Sequence, residues 1–397
     1  MRLPLTERIL ADHAFRTLGS PGRLAPRAGR LFDPSRPLPL PGPPPRGFPS
    51  FRDLFATLPQ PYAGAVYRAH AQMSGFACAG WPLVSGLVDA QPFFEWQMHT
   101  DLFKPWYRDH IVHQVRVAAI GDLLLDQRVG GRTILSRAVE AIAQRPTRPR
   151  LGDVTSHSED FVRLAWWLGA LFHDSMYQYE YHEGQYRNLQ TVCQLPLANP
   201  TQTSWFQAHN ALAGLVRHLT RQDLLRCQEA HHQFAGAAEL AMQNEFYEQG
   251  IGSRESAEYR DRRRMLFGLA CEAILGHHKL RVPSEPIRFS ECPLGYLLVL
   301  SDELHEADRP HATTTVPSGT RKTVTRFGRG EIKQVTLGTG RAARPRLAIE
   351  YICRPGVTHV RGLSKPDWEA GKQQKMKSEM LAFGDRELFT DLTVRAV

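Results

Sequence analysis

The stretch Ala165-Trp166-Trp167-Leu168-Gly169-Ala170-Leu171-Phe172-His173-Asp174 decides how the rest of the chain is read. Its unbroken apolar run, with two tryptophans, predicts a helix buried all round. The run stops abruptly at adjacent His173 and Asp174, with the polar Ser175 behind them. A carboxylate at the buried end of an apolar helix is costly to desolvate, and a bound cation removes that cost. A His-Asp dipeptide alone is a weak signal, so the surrounding helices carry the weight.

Working outward, residues 108–119 predict an amphipathic helix in which Asp109 and His113, four apart, share one face. Downstream, residues 230–237 contain His231 and His232. Residues 273–278 end in His277 and His278. Residues 297–304 are an apolar run interrupted by Asp302. Each of these donors stands in or beside an apolar helical stretch. Five such helices can converge on one centre, as bundles do when they build internal metal sites.

The wider pattern is helical from about residue 51 to 310, clearest over 109–127, 160–173, 223–248, 254–278 and 293–306. Beyond Pro310 the character changes. Residues 313–316, 331–337 and 347–353 read as strands, followed by a helix over 365–383 and a final strand over 388–394. Residues 20–49 hold ten of the 28 prolines and cannot sustain a helix. The expected fold is therefore mainly α: a Pro-rich N-terminal extension (1–50), a helical metal-binding catalytic domain (51–310) and a small basic α+β appendage (311–397). That appendage would shape the pocket or an oligomer contact.

Composition narrows the function classes. The 397 residues are 42% hydrophobic and 22% charged, which excludes a wholly disordered chain. No apolar run reaches the roughly 18 residues a membrane helix needs, and Glu7, Arg8 and Asp12 interrupt the N-terminus as no signal peptide would allow. The six cysteines (Cys78, Cys193, Cys227, Cys271, Cys292 and Cys353) form no C-x-x-C pair. That sets aside zinc-ribbon and redox motifs and predicts reduced thiols in the cytoplasm.

The net charge of +9 comes from 49 Lys/Arg and 40 Asp/Glu, and its excess sits in the flanks. Residues 1–46 hold eight basic and three acidic residues, and residues 311–397 hold sixteen and eight. Such flanks suit a solvated surface and can also steer a polyanion. A dense nucleic-acid face is missing, because Lys372, Lys375 and Lys377 make only a short run.

The ordered series His, His-Asp, His, His-His, Asp resembles the HD-domain superfamily of metal-dependent phosphohydrolases over roughly residues 105–310. HQVRVAA resembles the first-helix signature, with His113. LGALFHDS resembles the motif that carries His173 and Asp174. HQFAGAAEL resembles the third element and selects His232. ILGHHK is similar to the His pair of two-metal members, here His277 and His278, and LLVLSDEL resembles the closing motif with Asp302. In the binuclear branch an acidic ligand often precedes the first His by one turn, where Asp109 stands.

The resemblance implies one metal held by His113, His173, Asp174 and Asp302. A second would be held by His232, His277, His278 and Asp109, with Asp174 bridging. Imidazole and carboxylate donors suit iron or manganese, with zinc, nickel or cobalt also compatible. The implied activity is hydrolysis of a phosphate ester of a nucleotide or cyclic (di)nucleotide by metal-activated water. The Gly-Tyr-Pro element of dedicated cyclic-di-GMP hydrolases is absent after His278, where Lys279-Leu280-Arg281-Val282-Pro283 stands.

Arg116, one turn past His113, and Lys279 are the cations nearest the ligands, and for Arg116 a structural ion pair is the competing role. His110, His231 and His305 read as bystanders. His182 and Glu183 would line the pocket mouth or belong to a polar loop, and the tyrosines Tyr177, Tyr179, Tyr181 and Tyr186 would stack on a base or serve packing. Two other classes fit the same donors. One is an HD-type di-iron oxygenase, and the other is a non-catalytic, metal-stabilised binding protein.

Overall fold

The computed structural model describes residues 2–5, 13, 110–145, 151–174, 210–216, 231–250, 256–277, 285–305, 311–315, 323–328, 331–339 and 345–397. The main elements run in chain order as β1 (Arg2–Leu5), α1 (His110–Leu125), β2 (Arg128–Val129), β3 (Arg132–Thr133), α2 (Ile134–Ala143), α3 (Leu151–Val154) and α4 (Ser158–Phe172). There follow α5 (His231–Gly250), α6 (Ala257–His277), α7 (Pro293–Leu304), β4 (His311–Thr315), β5 (Thr323–Gly328), β6 (Ile332–Thr339) and β7 (Arg346–Cys353). The chain closes with β8 (His359–Val360), β9 (Leu363–Ser364), α8 (Lys365–Lys375), a π-helical turn over Met376–Met380 and β10 (Asp391–Ala396). Two compact units result. One gathers the described residues up to Ile134 and from Leu300 onward, and the other those from Leu135 to Val299.

The first unit is built on a four-stranded mixed sheet in the order β1-β6-β7-β10. β6 and β7 are antiparallel, β10 runs parallel to β7, and β1 pairs antiparallel with β6, setting Leu3 opposite Leu337 and Leu5 opposite Val335. β7 alternates as a half-buried strand must: Leu347, Ile349, Tyr351 and Cys353 point inward. Their neighbours in β10, Leu392, Val394 and Ala396, are buried in register with them. Trp368 of α8 packs its ring edge-on to Tyr351, with centroids 5.0 Å apart at 88°. α8 starts on a Ser364 side chain that accepts the Asp367 amide, with Pro366 in the first turn.

The second unit is helical. α4 places Glu159 and Asp160 in its first turn, where they favour the helix dipole, and buries every residue from Phe161 to Phe172. α6 begins on Ser256, whose hydroxyl accepts the Tyr259 amide at 3.2 Å. α4 and α6 approach closely because Gly169 has no Cβ. A Cβ there would stand 3.3 Å from both the Ala270 carbonyl oxygen and the Ala273 Cβ. The helices α5 and α6 are tied by the fully buried Arg263, which donates to the Asn244 backbone carbonyl at 3.1 Å and to its side chain.

The expectation of a mainly α bundle with a small α+β appendage is corrected. The described residues are 59% helix and 19% strand, and they include the four-stranded mixed sheet. Beyond residue 310, β5 (Thr323–Gly328) was not foreseen and the helix read over 365–383 ends at Lys375, with the π-helical turn beyond it, whereas the strands read over 331–337, 347–353 and 388–394 overlap β6, β7 and β10. What periodicity could not show is that Arg2–Leu5 joins them as an edge strand more than 300 residues away. Pairing partners so far apart leave no trace in a local pattern. Among the described residues, no helix is long and apolar enough to cross a membrane.

Candidate metal centre

In the helical unit, His173 caps the C-terminus of α4, Asp174 follows it, and His277 is the last residue of α6. Packing brings them together. Each histidine lies four residues, about one turn, past the small residue through which its helix touches the other: Gly169 for His173 and Ala273 for His277. The two imidazoles meet edge to face, with centroids 5.1 Å apart at 76°. One donor atom from each of His173, Asp174 and His277 lies within 4.8 Å of the others. His173 is fully buried and Asp174 is 5% exposed.

The ring of His173 is oriented by its own helix. Its Nδ1 lies 2.8 Å from the Ala170 carbonyl oxygen. A carbonyl only accepts, so Nδ1 carries the hydrogen and Nε2 of the neutral ring presents its lone pair. Nε2 faces Asp174 Oδ1 at 3.6 Å. Metal-ligating histidines are held in this way, with the remote nitrogen donating to a carbonyl or carboxylate. Two imidazoles, one buried and one half-buried, and a buried carboxylate fit a divalent transition metal, and the thiolates favoured by structural zinc take no part in this cluster.

The sheet-containing unit holds a second imidazole–carboxylate cluster. His113, one turn into α1, is 1% exposed. Its Nε2 lies 2.9 Å from Asp302 Oδ1, and its Nδ1 lies 2.7 Å from Nδ1 of His305. Asp302 and His305 are three apart at the end of α7 and so reach His113 from one helix face. The His305 amide bonds the carbonyls of Ser301 and Asp302 at 3.2 and 3.1 Å, which closes the last turn. The preceding Glu303 is held by the Lys372 ammonium, and its carbonyl accepts the Tyr351 hydroxyl at 2.9 Å.

Of the sequence candidates, the structure brings His113 together with Asp302, and His173 together with Asp174 and His277. Arg116 is buried on α1, on the same face as His113. The backbone of His232 is the second residue of α5, and its side chain lies outside the described set. Asp109, His278 and Lys279 fall outside the described residues, as do His182, Glu183 and the tyrosines Tyr177, Tyr179, Tyr181 and Tyr186. One contributor was missed. His305, read as a bystander, touches His113 directly, and the available signal was its spacing of three from Asp302 on one apolar helix.

Fold and side chains define a mixed α/β protein that carries, among the described residues, an imidazole–carboxylate cluster in each unit, buried or half-buried. Compared with family models, with curated proteins and with solved structures, the chain matches none.

Proposed function

We propose that the protein is a metal-dependent phosphohydrolase of the HD type, cleaving a phosphate ester of a nucleotide or cyclic (di)nucleotide. His173, Asp174 and His277 form the core of its metal centre. The supporting observation is that the adjacent His173 and Asp174 and the distant His277 offer donor atoms within 4.8 Å of one another, with the remote nitrogen of His173 tied to a carbonyl. His113 and Asp302 are the further donors of the series, and His232, His278 and Asp109 complete it from the resemblance.

When bound, a divalent metal such as manganese or iron supplies Lewis acidity toward phosphate oxygens and acidifies water. The residues of the chain hold and orient. Ala170 locks His173 in one tautomer, the Asp174 carboxylate brings negative charge to balance a cation, and the apolar length of α4 keeps water away, which strengthens every charge interaction nearby. Phosphoryl transfer asks mainly for positioning and charge neutralisation. Arg116, three residues past His113, and Lys279, two past His277, are the cations assigned to phosphate oxygens.

Metal analysis of the purified chain, coupled to a screen of nucleotides and cyclic dinucleotides without oxygen, tests the reading. Wild type should carry manganese or iron and release phosphate or a nucleotide anaerobically, whereas Asp174→Ala should lose both metal and turnover. Full activity in Asp174→Ala would overturn the assignment. Turnover that requires O₂ would instead identify a di-iron oxygenase.

A further inference from the structure

We propose that His305 is a positioning residue for His113, setting the tautomer that lets Nε2, beside Asp302, take a cation. This rests on the metal-centre reading. A neutral imidazole has one N–H and one lone pair. The two nitrogens of His113 are both engaged, Nε2 facing Asp302 Oδ1 at 2.9 Å and Nδ1 facing His305 Nδ1 at 2.7 Å. Only one can carry the hydrogen.

Without a cation, the Nε2–H of His113 donates to the carboxylate, and Nδ1 accepts the Nδ1–H of His305. For Nε2 to offer a lone pair to a cation that Asp302 also binds, the hydrogen must stand on Nδ1, and His305 must then accept. An imidazole can do either by exchanging its own tautomer. Each ring keeps one proton throughout, and only the nitrogen that carries it changes.

This differs from the Ala170 carbonyl at His173, which can only accept and therefore allows a single state. Burial removes the alternative of solvent, since His113 and His305 are 1% and 2% exposed. The pair therefore couples cation binding at His113 to the hydrogen-bonding state of a residue at the end of α7.

The test uses the full chain, stripped with a chelator and titrated with Co²⁺ while its visible absorption and thermal midpoint are followed. His305→Phe keeps the ring and removes both nitrogens. His305→Asn places an amide where Nδ1 stood, able to donate or accept. His113→Phe sets the loss expected when the ligand itself is gone.

The Phe variant should bind Co²⁺ about 10–100-fold more weakly, with a shifted absorption band. The Asn variant should recover affinity and band. Wild-type affinity and spectrum in His305→Phe would overturn the proposal. So would equal weakening in Phe and Asn variants that tracks a lowered midpoint, which would make His305 a packing residue. If the wild-type chain takes up no Co²⁺, the metal-centre reading falls as well, an outcome distinct from an unaffected Phe variant.

Discussion

His173 and His113 are both buried imidazoles beside a carboxylate, yet the nitrogen each turns away from that carboxylate is held differently. For His173 it meets a carbonyl three residues back on the same helix, and for His113 it meets an imidazole 192 residues along the chain. The first arrangement comes with the helix. The second exists only while the end of α7 is held in place, and that end is pinned by Tyr351 and Lys372 of the sheet-containing unit. Lys372 in turn lies 5.7 Å from the Tyr351 ring centre and 5.8 Å from that of Trp368. A ligand oriented locally resists damage elsewhere, whereas one oriented through tertiary contacts inherits the stability of whatever holds its partner.

The contrast can be broken most forcefully at Trp368, which is 5% exposed and packs on Tyr351. Trp368→Ala should destabilise the chain by about 3–5 kcal/mol in denaturant unfolding. Metal affinity should suffer through His113 well before the His173 cluster responds. An unchanged unfolding midpoint would mean that α8 does not support the end of α7.

Gly169→Val attacks the opposite cluster. Its new side chain must displace the Ala270 carbonyl or the Ala273 methyl, both 3.3 Å from where the Cβ would fall. The expected loss is about 1–3 kcal/mol. Metal content should drop because His173 and His277 are pushed apart, and elemental analysis with retained full loading would refute this account.

Tyr351→Phe sharpens the comparison more gently. It removes only the hydrogen bond to the Glu303 carbonyl, worth about 1 kcal/mol. Chemical denaturation should show that loss, with Co²⁺ affinity weakened in the same direction as in His305→Phe.

The smallest effect lies at the surface pair of Lys377 and Asp391, 2.5 Å apart and both about a third exposed or more. The Lys377 hydrogen bond holds the Asp391 carboxyl below its ordinary value. A carboxylate depressed by folding contributes stability above its unfolded pKa and loses it as pH falls through the folded one. Asp391→Asn should therefore cost less than about 1 kcal/mol at pH 7, the exposed setting screening the pair. The difference should vanish near pH 3, and a larger deficit at low pH than at neutral pH would contradict the pairing.

Much of the local structure was legible. The apolar run ending in His173-Asp174 is a buried helix with polar residues at its end, because a helix without a polar face has nowhere to go but the core. The alternation of Leu347, Ile349 and Tyr351 marked a half-buried strand. The resemblance placed His173 and His277 on different metals bridged by Asp174, and the cause of their direct closeness is visible only at Gly169 and Ala273. His305 was passed over because its partner lies on another helix, and a histidine at a helix end has many ordinary uses.

By itself, the sequence located the helices that end at His173 and His277, the helix over Pro293–Leu304 and the strands Ile332–Thr339 and Arg346–Cys353, and showed which apolar stretches carry imidazoles and carboxylates, because those properties follow from periodicity and side-chain chemistry within a few residues. Only the tertiary structure decided that Arg2–Leu5 edges the sheet, that His113 leans on His305, and that a missing Cβ lets two helices close on His173 and His277. Such contacts join residues distant along the chain, and steric fit between whole elements selects them, for which no local pattern exists.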